Sequence, residues 1–466
     1  MNAEKINPAN ASAAQPIFSR VASDAANREE GTGLNIVADA TCPACSCSCD
    51  DLIVKSDGRT VVEAVNACTL GRGWFLAERS SDAPAVQVDG RAASLEAAID
   101  RAARLLLDAK YPLVYGLHES TTEAQRAACA VADWIGAVID TPTSRQGPTG
   151  VTFRGTGMVT ATLGEVRHRS DFVLFWRTDP VVTHPRHLLR YSLLPEGQFL
   201  PGGRRDRYAV AVDERPTRTG AACDEQITVG PDADFAAIGT LRAVLKGLPV
   251  DGDATRRETG TDLSTWRALA ERMKQARYGV VFYGDELWRG SGRHVNVEAL
   301  LTLVRELNAH TRFVSLAMRS GGNALGADDV LAWRTGFPFA VNFARGYPRF
   351  EPNDYAAANV LARREADAAL LVGRSATDEL SPPARDHLYK LPRIVVGSHL
   401  DTTAEGAAVS IRTAPVGIAV GGTIYRQDDV PLALRPAVES PLPSEFDVLS
   451  RLEKRILELR PEIGEV

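Results

Sequence analysis

The sequence predicts an α/β chain with parallel sheets and more than one core, on three observations. Short apolar runs recur that are too continuous for half-exposed strands: Tyr111-Pro-Leu-Val-Tyr-Gly116, Asp171-Phe-Val-Leu-Phe-Trp176, Tyr208-Ala-Val-Ala-Val-Asp213, Asp367-Ala-Ala-Leu-Leu-Val-Gly373 and Arg393-Ile-Val-Val-Gly397. Strands covered on both faces read this way. Helical periodicity fills the intervals, which is the alternation that builds a parallel sheet. Finally, 466 residues exceed what one core organises, so two or three domains are expected.

Taken in order, residues 1–34 are rich in Ala, Asn, Ser and Glu with little to bury, and a disordered tail is expected there. Residues 35–85 hold five of the seven cysteines, with Ile53, Val54, Val61, Val62 and Val65 between them, a small Cys-rich and β-rich domain. From Ser94 to Lys110, Leu95, Ala98, Ile99, Ala102, Leu105 and Leu106 recur at helical spacing. Thr121 or Thr122 can cap the next helix, which runs to about Gly136 and leads into the buried strand ending at Asp140. Tyr278-Gly-Val-Val-Phe-Tyr-Gly284, a helix from about Val295 to His310, and Arg312-Phe-Val-Ser-Leu make a further unit. The chain ends in a helix over about Ser444–Leu459. The domains expected are 86–148 with 356–434 as one discontinuous α/β unit, 149–355 as a Rossmann-like unit inserted in it, and 435–466 as a C-terminal helix.

A net charge of −6 gives no reason to expect nucleic acid or an anionic membrane as partner. No apolar run approaches the ~20 residues of a spanning helix, and the N-terminus lacks a signal peptide's basic-then-apolar order. A cytoplasmic location is expected. In such a compartment clustered cysteines suggest metal rather than disulfides.

Cys42, Cys45, Cys49 and Cys68 are separated by two, three and eighteen residues. One tight loop can aim three thiolates at the corners of an iron–sulfur cubane, and a distant fourth closes the shell. Four thiolates could equally hold structural zinc, or be buried as small apolar side chains. Cys47 is left over, without a role. Cys129 lies on an apolar helix face and reads as core.

Several loops follow strand ends, where ligands bind in α/β sheets. After Trp176 come Asp179, His184, Arg186 and His187; they suit a phosphate or carboxylate, and an exposed helix start is the plain alternative. His184 and His187 could hold metal, but Pro185 and the basic neighbours argue against it. Asp213 ends a strand where an acidic residue can accept hydroxyls, with Arg215 and Thr217 beyond. No G-x-G-x-x-G is present, so a simple nicotinamide-dinucleotide fingerprint is absent. Arg319, Gly321, Gly322 and Asn323 form a turn that brings backbone close to a ligand. Gly336-Phe-Pro-Phe and Gly346-Tyr-Pro-Arg349 are aromatic–proline loops. The stretch Thr141–Gly150 leaves a buried strand with Arg145 and Gln146 as donors, and with no nucleophile, carboxylate or metal ligand.

From about Ala38 to the C-terminus these stations resemble the large B subunit of formylmethanofuran dehydrogenase, in the molybdopterin oxidoreductase superfamily. The resemblance rests on the four cysteines and on Trp176-x-x-Asp179-Pro180-x-x-x-His184-Pro185-Arg186-His187-x-x-Arg190-Tyr191. It rests also on Asp213-x-Arg215-x-Thr217, Met318-Arg319-x-x-x-Asn323-x-x-Gly326, Thr335-Gly336-Phe-Pro338 and Gly346-Tyr-Pro348-Arg349. It implies two Rossmann-like domains behind the Cys-rich one, without the C-terminal barrel domain of longer relatives. It implies a [4Fe-4S] cluster on Cys42, Cys45, Cys49 and Cys68, with Arg72 between cluster and pterin. Dinucleotide-pterin contacts would fall on Asp179, His184, Arg186, Asp213 and Arg215, with Arg319 and Asn323 beside them.

In that family tungsten or molybdenum is held by a cysteine or selenocysteine, followed by a histidine, just before Gly147-Pro148. Here those positions are Arg145 and Gln146. A guanidinium stays protonated and has no lone pair for a metal. The resemblance therefore points to the family's non-redox branch, the B subunit of the bacterial formyltransferase/hydrolase complex in tetrahydromethanopterin-linked oxidation of formaldehyde to formate. Its partners would be the amidohydrolase-like A component, the C component, the formyltransferase D and a methanofuran-like carrier. A basic groove at Arg145, Arg186, Arg190 and Arg215 would hold the carrier's anionic tail. The alternatives are a redox-active tungsten or molybdenum dehydrogenase and a cluster-only electron-transfer protein.

Overall fold

The computed structural model describes residues 27–28, 33–77, 84–146, 156–288, 293–373, 375, 377–400 and 402–460. Most of the expected disordered tail, residues 1–34, lies outside them; strand β1 (Asn27–Arg28) pairs antiparallel with the start of β2 (Asn35–Ala40). β2, β3 (Leu52–Ser56) and β4 (Val61–Val65) complete an antiparallel sheet in the order β1-β2-β3-β4. Leu52 and Val54 turn into the core while Ile53 and Lys55 are half-exposed, the alternation of a sheet with one wet face. Helix α1 (Thr69–Leu76) follows, with Cys68 as its N-cap.

The chain then builds half of a large sheet with β5 (Val86–Val88), β6 (Arg91–Ala92), β7 (Pro112–Gly116) and β8 (Val138–Asp140). Helices α2 (Leu95–Asp108) and α3 (Thr122–Ile135) alternate with these strands, N-capped by Ser94 and Thr121. Gly136 closes α3 in the left-handed conformation, and its amide donates to the last-turn carbonyls.

A second sheet follows: β9 (Phe172–Trp176), β10 (Tyr208–Asp213), β11 (Glu225–Thr228), β12 (Tyr278–Tyr283) and β13 (Arg312–Ala317). It is wholly parallel, in the order β11-β10-β9-β12-β13. Helix α4 (Leu163–Arg169) precedes it; α5 (Asp234–Leu245), α6 (Leu263–Gln275) and α7 (Arg293–Leu307) cover it. Strand order reverses between β9 and β12, so a crevice opens outside their carboxyl ends.

The first sheet then resumes. After α8 (Ala324–Thr335) come β14 (Val341–Asn342), β15 (Arg349–Phe350), β16 (Ala368–Val372), β17 (Arg393–Gly397) and β18 (Val409–Arg412). The finished order is β15-β14-β8-β7-β16-β17-β18-β5-β6, parallel from β8 to β18 and antiparallel at both edges. This sheet thus takes the chain back at Val341, earlier than the expected resumption at 356. A hairpin, β19 (Gly422–Tyr425) and β20 (Pro431–Leu434), stands apart from it, and Thr41 Oγ1 donates to Ala433 O at 2.9 Å.

Helix α9 (Glu445–Leu459) closes the fold against α2 and α3, started by a capping box of Ser444 and Asp447. Its first residue, Glu445, is buried, and one carboxylate oxygen has no partner among the described residues. Burial lifts its pKa to about 7, and the charge of Glu119 adds to the rise. The native state therefore keeps a proton that the unfolded chain loses near pH 4.5, and stability falls as pH rises from there to about 7. Glu445→Gln should stabilise, by on the order of 2 kcal/mol more at about pH 8.5 than at about pH 5.5. Urea titrations at the two values read this, and an equal gain at both would refute it.

Candidate functional site

The Cys-rich loop leaves β2 and doubles back at once. Cys42 N donates to Cys49 O at 2.8 Å and Ser48 N to Cys45 O at 3.0 Å, with Ser48 at a left-handed φ of 39°. Cys42, Cys47 and Cys49 are buried. The fourth thiol arrives from sequence-distant Cys68, whose Sγ accepts from Gly71 N at 3.5 Å at the start of α1. Gly71 lies between two thiols: a Cβ there would stand 3.2 Å from Cys42 Sγ and 3.9 Å from Cys68 Sγ.

Burial pushes the Cys42 thiol up, and the charges of Cys45, Cys49 and Cys68 add to the rise, so those three thiols lie within electrostatic reach of it. Among the described residues no three His, Cys, Asp or Glu side chains close in as a single ion requires. Cys47 is fully buried in the same loop, and its thiol lowers that of Cys45 while its own is pushed up by Cys45 and by burial.

Behind the loop stands a clasp of arginines. Arg186 donates both terminal nitrogens to Asp51, each at 2.6 Å. Arg190 donates to Asp51 at 2.9 Å and to Asp50 at 2.8 Å, and it also hydrogen-bonds the Cys49 thiol. This corrects the expectation for both arginines. They do not line an open groove for an anionic tail; they fasten the Cys loop to the second sheet domain.

His184 is spent in the same way. It is buried, and its Nε2 lies 2.9 Å from Ser46 Oγ and 3.1 Å from Arg319 O. Ser46 Oγ also faces Gln427 Oε1 at 3.0 Å. Burial holds the imidazole down to about 4, so it is neutral at neutral pH. His187 turns elsewhere, edge-on to Phe282 with ring centroids 4.5 Å apart, so the two histidines do not form a chelate. Asp179 accepts from Thr219 N at 2.9 Å, Thr219 Oγ1 at 2.5 Å and Arg218 N at 3.2 Å, which fixes the loop after β10. Asp213 is buried at the end of β10, raised by burial, and accepts Glu214 N at 2.8 Å; Arg215 is exposed. Asn323 is wholly engaged: it donates to Ser120 O at 2.8 Å and accepts from Tyr425 N at 2.7 Å.

A cavity of about 190 Å³ opens between β13, α8 and the loop of the last hairpin, lined by Arg319, Asp328, Asp329, Phe339, Gln427 and Asp429 among others. Arg319 is buried and ion-paired with Asp328, whose other oxygen accepts Thr141 Oγ1 at 3.1 Å. Asp329 is raised to about 7 by burial, then by the charges of Asp429 and Asp328. Sequence reasoning missed these carboxylates, although Asp328-Asp329 and Asp428-Asp429 stand as visible pairs.

Thr141 begins the stretch that the resemblance makes decisive. β8 ends at Asp140, which accepts Ser144 Oγ at 2.6 Å, Ala357 N at 2.6 Å and Ala340 N at 2.9 Å. A 3₁₀ turn, Pro142–Gln146, follows, and its backbone carries Arg145 and Gln146; Gly147–Gly150 lie outside the described residues. The remaining cysteines are remote in the fold: Cys129 is core in α3 and Cys223 sits beside β11. A diphosphate-bearing pterin needs donors, and the described cavity offers three carboxylates against one guanidinium already paired. That lining is poor in donors for a diphosphate.

A Cys loop set before two parallel-sheet domains, with a cavity at their carboxyl edges, defines a protein of the molybdopterin oxidoreductase-like fold. Acetylene hydratase from Pelobacter acetylenicus shares it, with a TM-score of 0.65 over 91% of this chain and 70% of that one, at 12% identity. The formyltransferase/hydrolase complex FhcABCD from Methylorubrum extorquens, solved with methylofuran, contains a chain matching at a TM-score of 0.67. That match has 26% identity over 81% of this chain and 100% of that one. No family model matches. In sequence, the B subunit of the tungsten-containing formylmethanofuran dehydrogenase 2 of Methanocaldococcus jannaschii is 34% identical over 438 residues, 91% of this chain and 100% of that protein. The B subunit of the Fhc complex of Methylorubrum extorquens is 28% identical over 389 residues, 80% of this chain and 98% of that protein. The chain belongs to the family of formylmethanofuran dehydrogenase B subunits. Among the described residues no helix is long and apolar enough to cross a membrane.

Proposed function

We propose that this chain is the non-redox B subunit of a cytoplasmic formyltransferase/hydrolase complex, serving tetrahydromethanopterin-linked oxidation of formaldehyde to formate. It acts as a scaffold and carrier-binding surface next to the amidohydrolase-like A component, the C component and the formyltransferase D. One observation carries the reading: the turn after β8 presents arginine and glutamine where the family presents its metal-binding residue and a histidine. The occupied state of Asp179, His184 and Arg186 supports it, since each spends its polar atoms within the chain. Arg186 and Arg190 are in the clasp, and Arg215 is exposed to meet an anionic carrier tail.

The gathered thiols favour a second feature within this reading. Cys42, Cys45, Cys49 and Cys68 would hold one [4Fe-4S] cluster, a group that takes up and releases single electrons. Arg190 beside Cys49 would offset its negative charge, and Gly71 leaves it room. Metal and pterin analysis of the anaerobically purified native complex tests both statements. About four irons per chain are expected, as one cubane holds, with no tungsten, molybdenum or pterin. Tungsten or molybdenum with pterin would restore a redox-active dehydrogenase. Iron with pterin absent, in a chain isolated without partner proteins, would favour an electron-transfer protein instead.

A further inference from the structure

The carboxyl ends of the second sheet face the cavity and the Cys loop. The opposite edge, where its strands begin, carries a groove of about 390 Å³ that the family reading leaves unused. Arg277 and Tyr278 open β12, Thr311 and Arg312 lead into β13, Arg169 ends α4, and Phe199 comes from the loop before β10. Three guanidiniums thus converge on one groove, and all three residues are exposed.

The acids nearby are committed to the fold. Asp171 accepts from the backbone amides of Arg277 (3.1 Å) and Tyr278 (3.0 Å) as well as from Arg277 Nε (3.0 Å). Glu165 completes the capping box of α4 with Thr162. Among the described residues neither Arg169 nor Arg312 is in an ion pair; Arg169 lies over the Phe199 ring at 4.4 Å, and Phe199 itself is half-exposed. Tyr278 is buried; burial and then the charge of Glu165 raise its hydroxyl, and the charges of Arg169 and Arg312 oppose the rise.

We propose that this groove docks an acidic segment of a partner protein, with Asp or Glu carboxylates on the arginines and an apolar or aromatic side chain against Phe199. This rests on the reading of the chain as one component of a complex. Arg277 is already paired with Asp171, but Arg169 and Arg312 are in no ion pair among the described residues, and the planar fork of arginine matches a carboxylate bidentately. The half-exposed Phe199 ring offers apolar surface beside the cations for a side chain of the partner. The patch is three cations wide in a chain of net charge −6, too small and too local for a nucleic-acid backbone.

The test is fluorescence anisotropy on the full chain, with the fluorescein-labelled peptide Asp-Glu-Tyr-Glu-Asp-Glu as probe at low salt. The parent chain should bind it saturably and release it as salt rises. Arg169→Gln, Arg277→Gln and Arg312→Gln together should weaken binding about tenfold or more, and a peptide with lysine in place of each acid should not bind. If the triple variant misfolds by circular dichroism, Arg312→Gln alone serves, since Arg312 makes no described ion pair. Equal binding by parent and variant, or no saturable binding, would overturn the proposal. So would displacement of the peptide by inorganic phosphate at concentrations matching unlabelled peptide, which would make the groove a small-anion site. None of these outcomes depends on metal content, so failure here and failure of the non-redox reading are separate results.

Discussion

Gly322→Ala is expected to cost about 3 kcal/mol or more and to strip the Cys loop of its seat. A Cβ at this position would lie 1.7 Å from Pro43 O, 2.6 Å from Pro43 C and 3.3 Å from Pro43 Cα. These are backbone atoms, so no side-chain rotation relieves the clash, and one of two chain segments must move. Neither is easy to move. The segment with Gly322 is held by Ser46 and His184 on Arg319 O, and by Asn323 on Ser120 and Tyr425. The other is pinned by the hydrogen bond from Cys42 N to Cys49 O and by Gly417, where a Cβ would come within 3.0 Å of Pro43 Cγ. The stability of the parent and the variant, read by thermal and urea unfolding, should differ strongly. Iron retained by the anaerobic preparation should fall with it, because Pro43 directly follows Cys42. Gly239→Ala is the matched control. It lies inside α5 with nothing within 4 Å of its Cβ, and replacing glycine by alanine in a helix should gain about 1 kcal/mol. A Gly322→Ala protein as stable as the parent, with unchanged iron, would mean that the two segments are not in contact.

That same turn shows where the sequence was legible and where it was not. Gly321-Gly322 announces a close approach of backbone, but not of what to what. A ligand was the natural expectation; the structure supplies Pro43, some 280 positions earlier in the chain. The parallel strands were legible because burial on both faces writes an unbroken apolar run, as Phe172–Trp176 does. The tight turn of the Cys loop was legible because Cys42, Cys45 and Cys49 are close in sequence. The roles of Arg186, Arg190 and His184 were not, since Asp51, Asp50 and Ser46 are more than a hundred residues distant and no periodicity ties them together. β14 and β15 escaped for a simpler reason. Two residues are too few to write an alternation, so the return to the first sheet at Val341 left no signal.

Removing the Asp328 carboxylate should be the most costly change at the cavity, because it strands a charge. Arg319 is 9% exposed and Asp328 4%, and the guanidinium donates to Asp328 Oδ2. Burial works against both charges; Asp328 nevertheless keeps Arg319 above its ordinary value, and a guanidinium does not shed its proton. Asp328→Ala therefore leaves a buried, unpaired cation, for which about 3–5 kcal/mol is expected. It also cuts the bond from Thr141 Oγ1, the first residue beyond β8, and so frees the start of the turn that carries Arg145 and Gln146. The pair as a whole is a different quantity. Replacing both members, Asp328→Leu with Arg319→Met, should recover most of the loss, since the desolvation of two charges disappears together with their attraction. A double-mutant cycle by urea unfolding measures this, and near-additive losses would show that the two side chains do not interact. A second readout separates electrostatics from packing. The charge of Asp328 is among the causes that raise Asp329 to about 7. Asp328→Ala should therefore lower the Asp329 midpoint in carboxylate-selective NMR, and the uncompensated Arg319 should lower it further. An unmoved Asp329 would place Asp328 too far away to hold the cavity's charge balance, and would remove the electrostatic argument against a diphosphate-bearing cofactor at that wall.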